Sequence, residues 1–331
     1  MAELLSVHHL RTSFFTRDGE VRAVRGVSFS IGEGEMVGIV GESGSGKSVT
    51  AKSLIRLMPP YGQIVGGEVK LRGDDVTRMS GAKLRTIRGN RIAMIFQDPM
   101  TSLNPVLTIG SQLTEVLRRH QKLSKSEARR QAIKWLEEVG IPSPETRIDQ
   151  YPHEFSGGMR QRVMIAMALS CNPELLIADE PTTALDVTIQ AQILELMKKL
   201  CRTTGTSVLL ITHDLGVVAQ VCSRVMVMYG GLIMEEGRVE DIFESPQHPY
   251  TQGLIRSIPK PREGKRERLV PIDGTPPNLL NPPSGCPFME RCSKATDQCL
   301  LLPPYFESKP GHRSMCWHSA GKLCERSEGM A

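Results

Sequence analysis

The sequence contains no uninterrupted apolar run that approaches the roughly 18 residues of a membrane-spanning helix, so we expect no transmembrane segment. Its first residues also lack the basic stretch and apolar stretch of a secretory signal peptide. The formal charge of +5 is spread over 331 residues, which is too diffuse to indicate a nucleic-acid partner. No internal repeat is visible. These absences predict a globular protein of the cytoplasm, and an apolar content of 40% is enough for a substantial core.

The most informative feature that is present is residues 41–48, which fit the phosphate-loop pattern G-x-x-x-x-G-K-[ST] and follow the apolar run Met36–Val40. Glycines let such a loop curl so that its N–H groups point at phosphate oxygens, and the following helix adds the positive end of its dipole. We expect Lys47 to reach the β- and γ-phosphates and Ser48 to ligate Mg²⁺. The alternative is a glycine-rich turn with a solvated lysine. The residues expected to contact the nucleotide here are Gly41, Ser43, Gly44, Ser45, Gly46, Lys47, Ser48 and Val49.

Two carboxylates follow a second apolar run, residues 175–178. Asp179 is expected to hold Mg²⁺ through water, and Glu180 to polarise the water that attacks the nucleotide. Alone, an acidic pair at a strand end is usually just solvated, but together with a phosphate loop it indicates nucleotide hydrolysis. His213 follows the next run and could hydrogen-bond the γ-phosphate, the alternative being a structural loop residue.

The apolar runs predict an α/β fold. Continuous runs are typical of buried parallel strands; they lie at residues 36–40, 92–96, 175–178, 208–211 and 225–228. The earlier segments, interrupted by turn residues, predict a small antiparallel region; they lie at residues 4–10, 23–31 and 67–71. Apolar residues at helical spacing predict a helical insertion between residues 108 and 169.

A serine and two glycines, Ser156, Gly157 and Gly158, open a further predicted helix. Free N–H groups and a hydroxyl at a helix start form an anion site, so the chain has two phosphate-binding ends. The motifs stand in the order phosphate loop, Gln97, Ser-Gly-Gly signature, Asp179, Glu180, Asp186 and His213. The same motifs occur in the same order in the ATP-binding-cassette (ABC) ATPases, which the chain therefore resembles. The signature differs from the commonest LSGGQ form at Phe155 and Met159.

Longer strings narrow the resemblance, over essentially the whole chain, to the D-type ATPases of the dipeptide and oligopeptide permeases. The strings are residues 97–105, 151–159, 179–188 and 247–251. The resemblance implies a RecA-like parallel sheet core with an antiparallel β region and a helical subdomain. It also implies an importer in which this ATPase and a second one, a copy or a paralogous F-type subunit, lie beneath two transmembrane permease subunits. An extracytoplasmic binding protein would deliver the peptide. The ATPases of nickel and glutathione importers share much of the sequence of these strings, so the strings do not determine the transported substrate.

The resemblance also implies roles for single residues. Gln97 would sense Mg²⁺ and the attacking water, and Asp186 would cross the interface of two head-to-tail cassettes. Each ATP would lie between Lys47 of one subunit and the signature of the other, so γ-phosphate contacts would close the dimer. Phe14, with Phe15 as alternate, aligns with the aromatic residue that stacks on adenine. Either could instead be a core residue of the antiparallel region.

Proline marks a change of composition near residue 258. Eleven of the 22 prolines lie between Pro259 and Pro310, which argues against regular elements there. We therefore predict an ABC ATPase domain at residues 1–258, with its helical subdomain at about 98–169, and a loop-rich C-terminal appendage at 259–331. Because such a segment has little core of its own, another tie should hold it together.

Cysteines supply a candidate tie. The appendage cysteines have the spacing C-x5-C-x6-C-x16-C and could form disulfides, a zinc site or an iron–sulfur cluster. A reducing cytoplasm argues against disulfides. The spacing does not decide between zinc and an iron–sulfur cluster. The resemblance implies a 4Fe–4S cluster, with Cys324 spare. Its ligands would be Cys286, Cys292, Cys299 and Cys316. The remaining cysteines are expected to be buried small apolar residues. They are Cys171, Cys201 and Cys222.

Together these features predict an ATP-hydrolysing subunit of a peptide importer, peripheral at the cytoplasmic face of the membrane. A soluble ABC ATPase acting on DNA or ribosomes is the main alternative, but such proteins usually carry two cassettes or a long coiled-coil insertion, and neither is visible. An inactive cassette that only pairs with a partner is a third possibility, and Glu180 and His213 argue against it.

Overall fold

The computed structural model describes residues 2–98, 102–183, 185–258 and 271–319. Its strands are β1 (Glu3–Thr16), β2 (Gly19–Gly32), β3 (Met36–Val40), β4 (Gly62–Leu71), β5 (Asp74–Asp75), β6 (Ile92–Ile95), β7 (Leu175–Asp179), β8 (Ser207–Thr212), β9 (Arg224–Tyr229), β10 (Leu232–Arg238), β11 (Phe306–Lys309) and β12 (His312–Ser314). Its helices are α1 (Lys47–Leu54), α2 (Gly81–Ile87), α3 (Ile109–Gln121), α4 (Lys125–Glu138), α5 (Pro144–Arg147), α6 (Gly157–Leu169), α7 (Val187–Thr204), α8 (Leu215–Val221), α9 (Val239–Glu244) and α10 (Pro249–Arg256).

The chain divides into two compact units. Unit 1 comprises Met1–Leu4, Ile31–Met36 and Arg78–Ile211, and unit 2 comprises Leu5–Ser30, Val37–Thr77 and Thr212–Ala331. The predicted domain boundary after residue 258 borders residues 259–270, which lie outside the described part of the chain. That division stays a prediction.

Unit 1 contains three parallel strands in the order β6, β7, β8. Every residue of β7 and β8 is buried, which explains why their sequences read as continuous apolar runs. The predictions of parallel strands at residues 92–96, 175–178 and 208–211 are confirmed. Because the strands run the same way, the residues that follow β6 and β7 emerge at the same edge of this part of the sheet.

The predicted helical region of unit 1 is confirmed by α3, α4, α5 and α6. Side-chain caps start three of these helices where the sequence has serine or threonine. Thr108 accepts a hydrogen bond from the N–H of Ser111, and Ser124 forms a capping box with Glu127. Ser156 caps α6, so the signature serine is also the residue that begins its helix.

Unit 2 contains an antiparallel sheet in the order β2, β1, β4, β5, and β3 pairs in parallel with β9. Both predictions, an early antiparallel region and parallel strands at 36–40 and 225–228, are confirmed. The early strands are longer than the sequence indicated: β1 and β2 have 14 residues each.

The described part of the appendage extends unit 2 with strands, so the expectation of no regular elements between residues 259 and 310 is wrong. β12 pairs antiparallel with β10, with Glu235 opposite Ser314, and β11 pairs with β12. Residues 306–309 lie between Pro304 and Pro310 and contain no proline, so their N–H groups remain available for a ladder. Strand pairing to β10 is therefore one of the ties that hold this segment.

The cores of the units contain the three cysteines predicted to be small apolar residues. Cys171, Cys201 and Cys222 are all buried, which confirms that prediction. Burial raises the pKa of Cys201 to about 12, so this thiol stays protonated at neutral pH. Within the described residues, no helix combines the length and the apolar character needed to cross a membrane.

Candidate nucleotide-binding and hydrolysis site

The phosphate loop of unit 2 connects β3 to α1, as the sequence predicted. Two of its glycines are required by the space around them. A Cβ on Gly41 would lie 2.1 Å from the carbonyl oxygen of Met228, and one on Gly46 would lie 2.5 Å from that of Ala23. Both glycines also have positive φ, 155° and 104°, which L side chains rarely adopt. The loop is thus pressed against neighbouring backbone in a conformation that only glycine permits.

Lys47 is the first residue of α1 and is only 4% exposed. Its Nζ donates hydrogen bonds to the carbonyl oxygens of Gly41, at 2.8 Å, and Glu42, at 2.9 Å. Ser45 is buried as well, and its Oγ has no hydrogen-bond partner among the described residues. An orphaned buried hydroxyl, a buried ammonium group and a helix start without acidic residues together fit an anionic ligand such as the phosphates of a nucleotide.

His213 follows β8, as predicted, and lines a cavity of about 620 Å³ in unit 2 with Gly41 and Glu42 of the phosphate loop. The structure therefore brings this histidine to the loop. The remaining walls come from α10 and its neighbours in the C-terminal part; the lining residues there are Leu254, Ser257, Pro271 and Ile272. The contact of His213 with a γ-phosphate stays a prediction.

Unit 1 carries the acidic pair at the end of β7. Asp179 is 2% exposed, and Glu180 follows it with a φ of 48°, in the left-handed region that is strained for residues with a side chain. Gln97, just after β6, donates from Nε2 to Glu180 Oε2 at 3.0 Å, and Thr183 donates from Oγ1 to the same oxygen at 2.9 Å. The structure thus joins Gln97 to Glu180 and adds Thr183, which the sequence analysis missed although it lies inside one of the matched strings.

The signature lies at the start of α6 in unit 1. Ser156 accepts a hydrogen bond from the N–H of Met159, at 3.3 Å, and the first turn of α6 has no acidic residue. Ser156 and Gly157 are exposed and Gly158 is half-buried. The exposed helix start can accept an anion from outside the chain.

Asp186 caps α7, accepting hydrogen bonds from the N–H groups of Thr188 and Ile189 at 3.1 and 3.0 Å. It is exposed, and Ala184, two residues earlier in the matched string, lies outside the described residues. The carboxylate therefore has a structural task in addition to the predicted interface role, which stays a prediction.

Of the two candidates for adenine stacking, Phe14 is half-buried with its ring 5.9 Å from that of Tyr61, while Phe15 is 47% exposed. Both lie near the end of β1. Stacking by either one stays a prediction.

The predicted 4Fe–4S cluster at Cys286, Cys292, Cys299 and Cys316 is wrong. Across residues 2–98, 102–183, 185–258 and 271–319, no group of three or more His, Cys, Asp or Glu side chains could hold a metal ion. Burial raises the pKa of Cys286 to about 11 and also raises those of Cys292 and Cys316, which favours neutral thiols over the thiolates that a cluster needs. Cys324, the predicted spare, lies outside the described residues.

Packing replaces metal as the tie of this segment. The Phe288 ring is 3% exposed and contacts the rings of Tyr229 and Tyr250, with centroids 5.3 Å away in each case. Tyr305 donates its hydroxyl to the carbonyl oxygen of Ile233 in β10, at 2.7 Å. Aromatic burial and strand pairing together give the segment the core that it lacks on its own.

Comparison with known proteins agrees with these motifs. The ABC transporter family model matches residues 24–183, and a model for the C-terminal region of oligopeptide and dipeptide transporters matches residues 234–299. A dimeric ATP-binding cassette, solved in a post-hydrolysis state with ADP and Pi, has a TM-score of 0.64 at 29% identity and covers 71% of this chain and 99% of its own. The predicted ABC-type fold is confirmed.

Two curated relatives cover nearly the whole chain. The dipeptide transport ATP-binding protein DppD of Bacillus subtilis is 56% identical, over 96% of this chain and 95% of its own length. The oligopeptide transport ATP-binding protein OppD of Haemophilus influenzae is 52% identical, over 98% and 99%. Neither name describes an iron–sulfur protein. The chain belongs to the family of ATP-binding subunits of dipeptide and oligopeptide ABC transporters.

Proposed function

We propose that this chain hydrolyses ATP to power an importer that carries dipeptides or oligopeptides across the cytoplasmic membrane. The observation that carries the proposal is the 56% identity to a dipeptide transport ATP-binding protein over 96% of the chain. The match of residues 234–299 to the C-terminal region of such transporters supports it, because that part lies beyond the matched ABC transporter region.

The hydrolytic chemistry is assigned residue by residue. Lys47, buried at the start of α1, binds the β- and γ-phosphates through charge-assisted hydrogen bonds. Ser48 and Asp179 are the oxygen ligands that would hold Mg²⁺, with Gln97 as a further one, and the bound ion would supply positive charge to neutralise phosphate oxygens. His213 donates a hydrogen bond to the γ-phosphate.

Glu180 is the proposed general base. Gln97 and Thr183 both donate to its Oε2, at 3.0 and 2.9 Å, and these bonds fix the direction of the carboxylate. A carboxylate held in this way can take a proton from water as that water attacks the γ-phosphate. The strained backbone at Glu180, with a φ of 48°, fits a residue whose position serves chemistry rather than stability.

The membrane subunits are proposed to dock on unit 1, at a cavity of about 180 Å³ that is lined by Phe96 but not by Gln97 itself. Apolar and methionine side chains line it, and they include Met94, Phe96, Leu103, Val116, Met164 and Met167. Methionine adapts its shape to a partner, which suits a short amphipathic helix from the cytoplasmic side of a permease. Phe96, at 36% exposure, precedes Gln97 directly, so a docked helix can act on the residue that orients Glu180.

The second partner is another ATPase subunit, a copy or the paralogous F-type chain. The exposed signature and the dimeric state of the similar cassette structure support this pairing. An extracytoplasmic binding protein acts indirectly, by delivering peptide to the two permease subunits. Attachment to the permease would make this chain peripheral at the cytoplasmic face of the membrane.

Purification of the tagged chain from gently solubilised membranes of its own organism tests the assignment. Two membrane permease subunits and one further ATPase are expected to co-purify, and uptake of a labelled dipeptide should stop when the gene is deleted. Co-purification with ribosomes or DNA would contradict the proposal. Loss of nickel or glutathione uptake with intact dipeptide uptake would retain the importer and replace its cargo.

A further inference from the structure

Glu42, the second residue of the phosphate loop, is tied through each of its polar groups. Its N–H donates to the hydroxyl oxygen of Tyr250 at 2.9 Å. Its carbonyl oxygen accepts from Lys47 Nζ at 2.9 Å and from the N–H of Ser45 at 3.2 Å. Its carboxylate accepts two hydrogen bonds from the guanidinium of Arg291, at 2.7 and 3.1 Å. The phosphate-loop pattern allows any residue at this position, so the pattern itself does not explain these contacts of Glu42.

Arg291 is built into unit 2 so that its guanidinium has little freedom. Its side chain is only 5% exposed. Besides Glu42, it donates to the carbonyl oxygens of Ile272 and Asp273 at 2.9 and 2.8 Å and to the hydroxyl of Tyr229 at 3.1 Å. A planar fork on a carboxylate fixes orientation as well as distance, which a lysine would not do.

Tyr250 approaches Glu42 from the matched string at residues 247–251, to which the hydrolytic chemistry gives no task. The N–H groups of Gln247 and His248 donate to the buried carboxylate of Glu235, at 2.7 and 2.9 Å. His248 Nδ1 in turn accepts from the N–H of Tyr250, at 3.0 Å. The string is therefore a rigid mount, and it directs a fully buried tyrosine hydroxyl at the backbone of the phosphate loop.

We propose that Arg291 and Tyr250 are positioning residues for nucleotide binding. They hold Glu42, and through its carbonyl oxygen Lys47, in the loop geometry that receives phosphates. The loop needs such support because Gly41 and Gly46 are held at φ values of 155° and 104°, and glycine keeps much freedom in an unsupported loop. The inference rests on the proposed function in taking this loop as the ATP site. It makes the C-terminal segment part of that site, so displacement of Arg291 lowers nucleotide affinity.

Equilibrium binding of Mg-ATP and of ADP to the full chain, measured by calorimetry, tests the proposal. The variants are Arg291→Gln, Arg291→Lys, Glu42→Gln and the double variant Glu42→Gln/Arg291→Gln. The matched control is Arg313→Gln, since Arg313 is also an appendage arginine, paired with Glu236 and lying 4.6 Å above the Tyr305 ring, but makes none of the contacts to Glu42.

Arg291→Gln and Glu42→Gln should each weaken ATP binding roughly tenfold, within the usual range for coupling between a positioning contact and a ligand. The ATP affinity of Arg291→Lys should be intermediate between those of wild type and Arg291→Gln. The double variant should be less than about twofold weaker than either single variant, because the second change removes a contact already lost. Arg313→Gln should lower the melting temperature and leave affinity unchanged.

A purely structural role would give a different pattern: Arg291→Gln would lose stability as Arg313→Gln does, and its ATP affinity would stay within twofold of wild type. That result overturns the inference and leaves the proposed function intact. If Arg291→Gln does not fold, Glu42→Gln decides, because Glu42 lies in the loop and unchanged affinity there overturns the inference equally. Failure of the wild-type chain to bind either nucleotide would overturn both proposals.

Discussion

The chain has two helix starts that suit phosphate, and they differ in how far they are enclosed. At α1 the phosphate loop is closed in by its own unit: Lys47 and Ser45 are 4% and 3% exposed, and Glu42 is tied by Tyr250 and Arg291. At α6 the signature residues Ser156 and Gly157 are exposed, and the serine caps its own helix.

The difference indicates that the two starts do different work. An enclosed cradle with prepared donors can bind a nucleotide within one chain, because the cost of organising it is met on folding. An exposed helix start surrounded by water is a weak anion site until another surface excludes that water. The two starts therefore fit the proposal that each chain contributes one complete phosphate site and one half-site, which a second ATPase subunit completes.

The largest expected effect separates binding from hydrolysis and leaves both helix starts unchanged. Glu180→Gln keeps the shape of the side chain but removes the base, so turnover in the assembled transporter should fall by roughly 10² to 10⁴. ATP binding to the isolated chain should persist. Turnover like that of wild type would show that Glu180 is misassigned.

A smaller loss is expected when the exposed start alone is changed. Gly157→Asp places a negative charge where the signature should meet phosphate, and its Cβ would meet Leu185 only at an ordinary 3.6 Å. Turnover in the assembled transporter should fall by roughly 10² to 10³, as for loss of a donor that stabilises developing charge. ATP affinity of the isolated chain should not change.

The matched control is Gly81→Asp, which puts the same charge on the first residue of α2, another exposed glycine with room for a Cβ. It should affect neither turnover nor binding. Equal losses from both variants would show that the signature has no special role and would remove the contrast between the two starts.

The enclosed start should respond in the opposite way. Lys47→Ala removes a buried charged donor worth about 1.5–3 kcal/mol, so ATP affinity of the isolated chain should fall by roughly tenfold to a hundredfold. Lys52→Ala, in the last turn of the same helix, should bind ATP like wild type. Titration calorimetry on the isolated chains measures both, and unchanged affinity in Lys47→Ala would count against the phosphate-loop assignment.

Acid should destabilise residues 247–251, the string that holds Glu42 of the phosphate loop through Tyr250. Burial lowers the pKa of His248 from 6.5 to about 4, so the unfolded chain binds the extra proton first, and stability falls as the pH drops from 6.5 towards 4. The loss from this group between pH 6.5 and pH 5 is on the order of 2 kcal/mol.

Denaturant melts of wild type and His248→Gln at pH 6.5 and at pH 5 measure that loss of stability. Hydrogen exchange at the same two pH values locates the loss in unit 2. The variant, which keeps a polar side chain without a titrating ring, should show the smaller change. Equal acid sensitivity in the two proteins would contradict the assignment to His248.

Short sequence patterns correctly predicted those parts of the fold that are determined by neighbouring residues in the chain. Apolar runs located β3 and β7, because a strand buried on both faces leaves little room for polar residues. The glycine-rich pattern located the phosphate loop for a similar reason, since backbone crowding at Gly41 excludes any side chain. Roles within the site, such as that of Asp186, remain predictions.

Contacts between distant residues were beyond such patterns. Arg291 and Glu42 are separated by 249 residues, and nothing near either one indicates the other. The proline-rich composition of the appendage hid its short strands, and the family resemblance implied a metal cluster there, whereas packing within unit 2 holds the segment. One signal was available and missed: Gly230 and Gly231, both with positive φ, join β9 to β10 as a tight hairpin.

The most direct test of one complete site and one half-site is the ATP turnover of the isolated chain against that of the assembled transporter with peptide-loaded binding protein. The account predicts slow turnover by the isolated chain and a several-fold rise on assembly, since only a partner completes the exposed signature. Equal turnover in both preparations would contradict it, because the chain would then need no second surface to hydrolyse ATP.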